Sequence, residues 1–400
     1  MRILKKILRY LVGFSFNLLA RCLAGEHRTA VFRSDPQLSD NPLAFFLYLH
    51  RTLGSEWSFV WLVQDLEGAR GQLEAEGIRV DGRVRLLKAG SVAAHFWSCA
   101  ARLCVDSHGS FTLPRCGIGK GFHMSLWHGS PLKRIGQDTH EGSAFQTDSD
   151  LVVASAGLFV PILSSGLGVS SDRIVCTGQP RNDWMLGGTP AGNRAAGFSP
   201  YIMWMPTYTI SRGSPEVGKG YKGKDFDVST DSFGVLNLSD FPVLDSHLGS
   251  RGMKLLLKLH PYDVRNDLEW PSYENIVVIK WNDERILGSG LYSALGNSEA
   301  LISDVSSVIF DYMLTGKRIG IDRSIAEKSL RGLAFSLDFS EFNSFDISSK
   351  SDFFTFIDTV AHSSSEGRGA APSFSLYNGE VPVPFCRNIF DQLSARGVFE

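Results

Sequence analysis

The chain has 400 residues, of which 43% are hydrophobic and 20% charged, and its formal net charge is −2 at pH 7. This length is sufficient for two domains, because single hydrophobic cores rarely grow beyond about 250–300 residues. The balanced charge argues against a broad basic surface for nucleic acid. The six cysteines form no CxxC pair and lie mostly in apolar runs, which favours buried thiols in a reducing compartment over a disulfide scaffold.

The first 25 residues differ from this neutral average, with five basic residues and no acidic residue before Glu26. Their helical spacing of apolar residues predicts a basic amphipathic helix on an anionic membrane surface. Ser15 and Asn17 interrupt the apolar run, so it is too short and polar to span a bilayer and does not match a secretory signal. An ordinary first helix packed on the domain is the alternative. The apolar positions are Ile3, Ile7, Leu11, Phe14 and Leu18.

Two series of short apolar runs follow, and helical or glycine-rich stretches separate the runs. Continuous apolar runs predict parallel strands covered on both faces, and two series predict two doubly wound domains. A Gly-, Pro- and Asn-rich stretch at 178–200 marks the boundary, and 211–250 is predicted to be a long loop or flap. The first series comprises 29–34, 58–65, 101–108, 122–129, 151–155 and 173–178, and the second comprises 201–207, 254–261, 275–280, 299–307 and 318–322.

Polar residues follow the predicted strands of both domains. Ligands of parallel α/β sheets bind at the carboxyl ends of the strands. His128 follows the run FHMSLW and His260 follows KLLLKL, and each precedes a turn residue, Gly129 or Pro261. One histidine at a strand end is usually structural, but one in each half favours a functional site. Two further strands are followed by Thr207, Asp304, Ser306 and Ser307.

The stretch ISDVSSVIFDYMLTGK, residues 302–317, predicts a capped helix. Asp304 is a suitable N-cap and Gly316 a suitable C-cap. Ser306 and Ser307 would then lie in the first turn, where hydroxyls, backbone N–H groups and the helix dipole favour a phosphate or diphosphate. A plain capped helix without a ligand is the alternative.

Five motifs, in this order and at these separations, resemble the CDP-glycerol glycerophosphotransferase family of teichoic-acid primases and polymerases and related capsule polymerases. The resemblance implies a GT-B fold, in which two Rossmann-like doubly wound α/β domains hold the active site in an interdomain cleft. It also implies a peripheral protein at the cytoplasmic face of the membrane, in agreement with the basic N-terminus. The motifs are LWHGSPLKRIG, TGQPRNDW, MPTYT, LKLHPYD and ISDVSSVIFDYMLTGK, within residues 28 to 325.

From the strand series and the resemblance together we expect four segments. Residues 1–25 form the membrane-surface helix, 26–182 an N-terminal acceptor domain, 183–384 a C-terminal domain for the CDP-alditol donor, and 385–400 a terminal helix. The acceptor would be a glycan, a lipid-linked molecule or a polyol phosphate. No cofactor, metal ion or nucleic-acid partner is expected.

The resemblance implies transfer of an alditol phosphate from a CDP-alditol to an acceptor hydroxyl with release of CMP. Glycerol phosphate is the favoured alditol phosphate. His128 matches the family's catalytic histidine and would be the general base, a task suited to an imidazole that is neutral near pH 7. His260 would contact the diphosphate and stabilise charge on the leaving side, and Ser306 and Ser307 would hold the diphosphate. The other matched positions, expected to bind substrate or to fix the site, are Gly129, Arg181, Asn182, Pro206, Thr207, Asp304 and Asp311.

Three features leave alternatives open. The family often has an aromatic residue and then Arg after the Pro-Thr pair, whereas here Thr209 follows Tyr208 and Arg212 is the nearest basic residue. Lys133 and Arg134 either steer an anionic acceptor or form a solvated face. The DFD tripeptide at 225–227 resembles a metal-binding Asp-x-Asp, but it lies away from any predicted strand end and is not assigned as a site.

Other functions share this fold. A GT-B glycosyltransferase that uses a nucleotide sugar would have a similar phosphate site, and fold alone does not exclude it. A ribitolphosphotransferase specific for CDP-ribitol would differ only in its donor. A non-catalytic membrane-bound scaffold is disfavoured by the intact His128, His260 and Ser-Ser motif.

Overall fold

The computed structural model divides into two compact units. Unit 1 comprises Met1–His128, Gly136–Asp183 and Val381–Glu400, and unit 2 comprises Gly129–Ile135 and Trp184–Glu380. The segment that follows His128 therefore belongs to unit 2, and the C-terminal segment belongs to unit 1. The structure describes residues 11–15, 18–19, 28–108, 121–139, 147–187, 192–208, 210–211, 223–224, 229–304, 306–324, 332–335, 344–362 and 374–400.

Unit 1 contains a parallel sheet of seven strands in the order β3-β2-β1-β4-β5-β6-β7. The strands are β1 (Thr29–Arg33), β2 (Ser58–Val63), β3 (Val84–Lys88), β4 (Leu103–Asp106), β5 (Phe122–Ser125), β6 (Leu151–Ala154) and β7 (Ile174–Cys176). The strand order reverses between β1 and β4, and this is the position where doubly wound sheets open a crevice for ligands.

The helices of the first half of the chain begin and end at recognisable signals. The side chain of Asp65 accepts the N–H groups of Glu67 and Gly68 at the start of α2, and Ser91 accepts that of Ala94 in α3. The helices are α1 (Asp40–Thr52), α2 (Leu66–Ala75), α3 (Val92–Ala100), α4 (Phe159–Leu167) and α5 (Asn182–Gly187), with 3₁₀ turns at Gly136–Asp138, Ser171–Arg173 and Ala196–Phe198.

Alternate residues of the central strands of unit 1 face opposite layers of the core. Val31 and Val60 pack with Ala94 of α3 on one face. Phe32 and Trp61 stack on the other face with their ring centroids 5.3 Å apart, and the ring of Phe46 from α1 contacts both. Burial on both faces explains why these strands are continuous apolar runs in the sequence.

Unit 2 contains a parallel sheet of six strands in the order β14-β13-β8-β15-β16-β17. These strands are β8 (Tyr201–Met205), β13 (Lys254–Lys258), β14 (Ile276–Ile279), β15 (Ala300–Ser303), β16 (Arg318–Asp322) and β17 (Ser344–Ile347). Two short antiparallel pairs accompany them: β9 (Ile210–Ser211) with β10 (Gly223–Lys224), and β11 (Ser232–Phe233) with β12 (Leu236–Asn237).

The helices of the second half of the chain include two that cover the sheet of unit 2. Leu244 and Leu248 of α6 and Phe353 and Phe356 of α9 pack in one buried cluster with Trp204 of β8. The helices are α6 (Phe241–Ser250), α7 (Gly290–Asn297), α8 (Val308–Met313), α9 (Lys350–His362), α10 (Phe374–Asn378) and α11 (Phe385–Ser394), and 3₁₀ turns lie at Leu238–Asp240 and Val264–Asp267.

The predicted class of two doubly wound α/β sheets is confirmed, although several elements differ from the prediction. The sequence pattern missed β3 and β17, which are edge strands with partly exposed residues and therefore lack continuous apolar runs. The expectation of a loop throughout 211–250 is wrong in part, because this stretch contains the short strands β10, β11 and β12 and ends in the helix Phe241–Ser250, which has Pro242 in its first turn.

The predicted amphipathic helix at the N-terminus lies largely outside the described residues. The described positions 11–15 and 18–19 are helical. The apolar side chains of Leu11, Phe14, Leu18 and Leu19 are between 41% and 59% exposed. Within the described part of the chain, no helix has the length and apolar character needed to cross a membrane.

Candidate active site

His128 lies just beyond the carboxyl end of β5, where the backbone turns sharply. Trp127 has φ of 51° and Gly129 has φ of 144°, so both lie in the region of positive φ. This region is easily adopted by glycine, whereas a bulky residue such as Trp127 adopts it only under strain. The turn leaves His128 exposed between two buried neighbours.

The imidazole of His128 has a defined tautomer. Its Nδ1 lies 3.2 Å from the carbonyl oxygen of Ser107, which follows β4. Since a carbonyl oxygen only accepts, Nδ1 carries the proton and Nε2 of the neutral ring keeps its lone pair. The ring of His108 stacks on that of His128 with centroids 4.7 Å apart and planes 20° from parallel. This arrangement suits Nε2 to accept a proton.

The pKa of His128 is held below its usual value. Loss of bulk water around the ring is the largest cause, and the neighbouring His108 adds to it. The hydrogen bond to Ser107 and the negative charge of Asp40 act in the opposite direction. The residue is still exposed to solvent, and this contact with water moderates the desolvation. The imidazole is therefore neutral at pH 7.

Arg181 stabilises the turn at His128 through hydrogen bonds. Its guanidinium is buried and donates to Asp40 at 2.5 Å and to the carbonyl oxygen of His128 at 2.9 Å. Its backbone N–H donates to the side chain of Asn41 at 3.1 Å, and Asn41 donates in turn to the carbonyl oxygen of Trp127 at 2.9 Å. The neighbouring Asn182 is 1% exposed and begins α5. The geometry thus supports a role for Arg181 in fixing the His128 turn.

In unit 2, Thr207 and Asp304 connect the carboxyl ends of the adjacent strands β8 and β15. The backbone N–H of Thr207 donates to Oδ2 of Asp304 at 2.8 Å, and its hydroxyl donates to Oδ1. Asp304 is only 3% exposed. The expectation that Asp304 caps a helix is therefore wrong, because Thr207, which is distant in sequence, takes both carboxylate oxygens.

The helix after Asp304 starts later than predicted. α8 begins at Val308 and has no side-chain cap, so Ser306 and Ser307 precede it and do not form its first turn. Both serines are half-buried. The expected C-cap at Gly316 is also wrong, because the helix ends at Met313 and its C-cap is Leu314. Gly316 lies in the turn that follows, with φ of 65°, and its N–H donates to the carbonyl oxygen of Met313 at 3.1 Å.

The pKa of Asp304 is raised to about 6, because burial penalises its charged form. The hydrogen bonds from Thr207 and the positive charge of Lys133 oppose this shift, and Asp322 adds to it. Because the pKa is raised, ionisation of Asp304 at neutral pH destabilises the folded unit. A cation near this carboxylate would reduce that destabilisation.

Lys133 approaches this part of unit 2 because its segment is bound there. It forms an antiparallel bridge with Leu333, and the N–H of the exposed Arg134 donates to the carbonyl oxygen of Gly332 at 3.2 Å. The Nζ of Lys133 lies 5.7 Å from the ring centroid of Tyr208. Lys133 therefore lies beside the ring of Tyr208, whereas Arg134 is exposed, and the choice between steering an acceptor and a solvated face stays a prediction.

His260 follows β13 and packs against Tyr208, with ring centroids 4.6 Å apart. Its Nδ1 accepts the backbone N–H of Tyr262 at 3.1 Å. A neutral His260 therefore carries its proton on Nε2 and can donate it to an anionic oxygen. Unit 2 thus brings together Lys133, Thr207, Tyr208, His260 and Asp304.

The remaining predicted positions lie inside a helix, beside the groups already described, or outside the described residues. Asp311 is 2% exposed inside α8, where the hydroxyl of Tyr292 donates to it at 3.4 Å. Pro206 and Gly129 are buried in the chain beside Thr207 and His128. Thr209, Arg212 and the tripeptide at 225–227 lie outside the described residues. Among the residues that are described, no cluster of three His, Cys, Asp or Glu side chains could hold a metal ion.

Sequence reasoning missed the polar residues at the carboxyl end of β4. Asp106, Ser107 and His108 end the run 101–108, and two of them contact His128 directly. The rule that strand ends carry ligands applies equally to this run and would have identified them.

Comparisons with known proteins agree with this picture. The sequence matches the family described as CDP-Glycerol:Poly(glycerophosphate) glycerophosphotransferase over residues 15–322. None of the proteins with curated annotation matches the chain. Similar solved structures include the wall teichoic acid polymerase TagF, with 19% identity, a TM-score of 0.69, and coverage of 99% of this chain and 96% of that chain.

Two further structures have the same fold. A TagF variant soaked with CDPG has 18% identity and a TM-score of 0.66, and covers 99% of this chain and 96% of that chain. The UDP-GlcNAc 2-epimerase from Methanocaldococcus jannaschii has 8% identity and a TM-score of 0.52, and covers 92% of this chain and 99% of that chain. At such identities the likeness concerns the fold, and it confirms the GT-B class. Because the family match extends over more than half of its length, the chain belongs to the CDP-glycerol:poly(glycerophosphate) glycerophosphotransferase family and is a glycerophosphotransferase-like enzyme.

Proposed function

We propose that this enzyme transfers glycerol phosphate from CDP-glycerol to a hydroxyl group of a glycan, lipid-linked or polyol-phosphate acceptor, and that it does so in the synthesis of a teichoic-acid-like or capsular polymer. The observation that carries the proposal is the tautomer of His128. Its Nδ1 is bonded to the Ser107 carbonyl, which leaves Nε2 of an exposed, neutral imidazole as a base. The family match supports the choice of donor.

In the proposed reaction, the acceptor oxygen attacks the phosphorus that bears glycerol. A new P–O bond forms, the P–O bond to CMP breaks, and CMP leaves with the electron pair. The hydroxyl proton moves to Nε2 of His128. The Ser107 carbonyl then stabilises the imidazolium through the proton on Nδ1. General-base catalysis of this kind contributes about 10²- to 10⁴-fold to the rate.

The donor side of the reaction is assigned to unit 2. His260 donates from Nε2 to an oxygen of the diphosphate, since Tyr262 occupies its Nδ1. Lys133 adds a positive charge, and the hydroxyls of Ser306 and Ser307 bind the same group. Fixed donors of this kind stabilise charge that develops on the leaving phosphate. In this proposal Asp304 acts through Thr207, because both of its carboxylate oxygens bind that residue.

The same proposal places the enzyme at the cytoplasmic face of the membrane through its first 25 residues. Their five basic residues would attract an anionic surface. The exposed side chains of Leu11 and Phe14 would enter the interface, because exposed apolar groups on a helix favour the boundary between lipid and water.

Nucleotide release tests the proposal. The enzyme is incubated separately with CDP-glycerol, CDP-ribitol and a set of UDP- and GDP-sugars, and the released nucleotide is identified by chromatography. We expect CMP from CDP-glycerol. CMP from CDP-ribitol alone would assign a ribitolphosphotransferase. Release of a nucleoside diphosphate from a nucleotide sugar would replace the proposal with a glycosyltransferase.

A further inference from the structure

We propose that Asp106 and His123 are positioning residues for the reaction: they form a buried hydrogen-bonded pair that anchors the turn after β4 and thereby fixes which nitrogen of His128 carries the proton. The inference rests on the proposed function, in which His128 is the general base. Neither residue reaches the surface, since Asp106 is 1% and His123 0% exposed.

His123 lies in β5 between two carboxylates. Its Nε2 is 2.7 Å from Oδ2 of Asp106, and its Nδ1 is 3.2 Å from Oδ1 of Asp148. Because an ionised carboxylate only accepts hydrogen bonds, Nε2 of His123 carries the proton that it donates to Asp106. The backbone N–H of His123 donates to a third carboxylate, that of Asp150, at 2.9 Å.

Asp106 connects His123 to the turn after β4 through its two carboxylate oxygens. Its Oδ2 binds His123, while its Oδ1 accepts the backbone N–H of His108 at 3.1 Å. A bond from an aspartate side chain to the N–H two residues later fixes a turn. The carbonyl oxygen of Asp106 also accepts the N–H of Leu126, 2.8 Å away on the β5 side. The turn is therefore held at both of its ends.

Both groups that position the His128 ring from this side belong to the anchored turn. The Ser107 carbonyl oxygen accepts the proton on Nδ1 of His128, and the His108 ring stacks on the imidazole. His108 is itself held, because its Nδ1 lies 2.7 Å from the hydroxyl of Ser107. A shift of the turn would move both contacts together and release Nδ1 of His128.

Stability alone does not account for a polar pair at this place in the sheet. Val105 and Met124, the neighbours of the pair on β4 and β5, are fully buried and apolar. Replacing both partners of a buried hydrogen bond by apolar groups of the same shape can be nearly neutral or stabilising. A polar pair in such surroundings, two residues away from a contact to the proposed base, is better explained by positioning.

The first test reads the wild-type enzyme and uses variants only to assign its signals. In wild-type enzyme labelled with ¹⁵N-histidine, NMR reports the protonation of each ring nitrogen, and the H128A and H123Q spectra assign the two residues. We expect a proton on Nε2 of His123 at pH 7 and the Nδ1–H tautomer for His128. An Nε2 of His123 without a proton, or the Nε2–H tautomer of His128, would overturn the proposal. This measurement uses the free enzyme and does not depend on turnover. Failure of the proposed function would be seen instead as the absence of CMP release.

The second test compares two substitutions of Asp106. D106A removes both hydrogen bonds, whereas D106N keeps an oxygen for the N–H of His108 and removes the charge. For D106A we expect a mixture of His128 tautomers, a kcat lowered about 10- to 100-fold and a KM for CDP-glycerol changed by no more than about 2-fold, since small misplacement of a catalytic group costs rate rather than binding. D106N should lie between D106A and wild type.

A matched control separates positioning from general loss of a buried carboxylate. Asp183 of unit 1 accepts the N–H groups of Phe385 and Cys386 at 2.7 and 2.9 Å. D183N should lower thermal stability while it preserves the His128 tautomer and kcat. A folded D106A enzyme with the wild-type tautomer and kcat would overturn the proposal, as would a D183N enzyme that reproduces the D106A effects.

Discussion

The backbone N–H of Tyr262 donates to Nδ1 of His260 across 3.1 Å, and this bond sets the proton of the neutral ring on Nε2. In His128 the proton lies on the other ring nitrogen, because Nδ1 donates to the Ser107 carbonyl. The two histidines therefore present opposite functions at Nε2. One accepts a proton and the other donates a hydrogen bond, which matches the separate needs of an attacking hydroxyl and a leaving phosphate.

Replacement of His128 by Ala should lower kcat for CMP release by about 10²- to 10⁴-fold, because the variant lacks the proposed general base. Binding of CDP-glycerol, measured by calorimetry, should be retained. H247A is the matched control, since His247 is a partly exposed histidine bound to Asp358 at 2.7 Å in unit 2. Near-normal turnover of H128A would remove His128 from the role of base.

The double variant S306A/S307A should weaken CDP-glycerol binding more than it lowers the melting temperature. The two hydroxyls are half-buried and precede α8, so their loss leaves the buried face of the helix unchanged. S246A serves as the control, because the Ser246 hydroxyl only bonds to Pro242 within its own helix. Equal donor affinity of S306A/S307A and wild type in calorimetry would assign the serines a structural role.

The raised pKa of Asp304 predicts a pH-dependent stability. Its folded pKa of about 6 lies above the ordinary value of 3.8, so the folded state binds the proton more tightly. This contribution is present at low pH and is lost as pH rises through 6. Between pH 5 and pH 7.5, wild type should lose about 1 kcal/mol of unfolding free energy relative to D304N. Urea unfolding at both pH values measures the difference, and a constant difference would contradict the prediction.

Deletion of the first 25 residues should release the enzyme from anionic vesicles and leave donor binding intact. Each basic residue near such a surface contributes about 1 kcal/mol, so the five contribute up to about 5 kcal/mol at low salt. Added salt should weaken this part, because the attraction falls off within about 8–10 Å. Sedimentation with anionic and neutral vesicles tests both effects. A deleted protein that misfolds, together with a full-length protein that ignores vesicles, would identify an ordinary packed helix.

The fold was largely predictable because buried parallel strands are apolar without interruption. β1 and β13 are examples: their central residues are fully buried, and the pattern identified both. Prediction failed at two of the edge strands, β3 and β17, which carry partly exposed and charged residues. It also failed at Phe241–Ser250, because the surrounding Gly, Ser and Asp residues obscured the helical spacing of Phe241, Leu244 and Leu248.

The site was predictable only where one strand end determined it. His128, Thr207 and His260 follow their strands as the pattern indicates. The partner of Asp304 was not predictable, because Thr207 lies 97 positions away and reaches it only through the pairing of β8 with β15. The place of Lys133 likewise depends on its bridge to Leu333, which no local pattern shows.

Phosphorus NMR of the complete reaction is the most direct test of the central claim. The enzyme is given CDP-glycerol together with one of three acceptor probes: a glycerol phosphate oligomer, a short glycan or a lipid-linked disaccharide. We predict that the glycerol-bearing phosphorus appears in a new phosphodiester and that CMP accumulates in equal amount. Accumulation of CDP would place the broken bond between glycerol and phosphorus and would contradict the account.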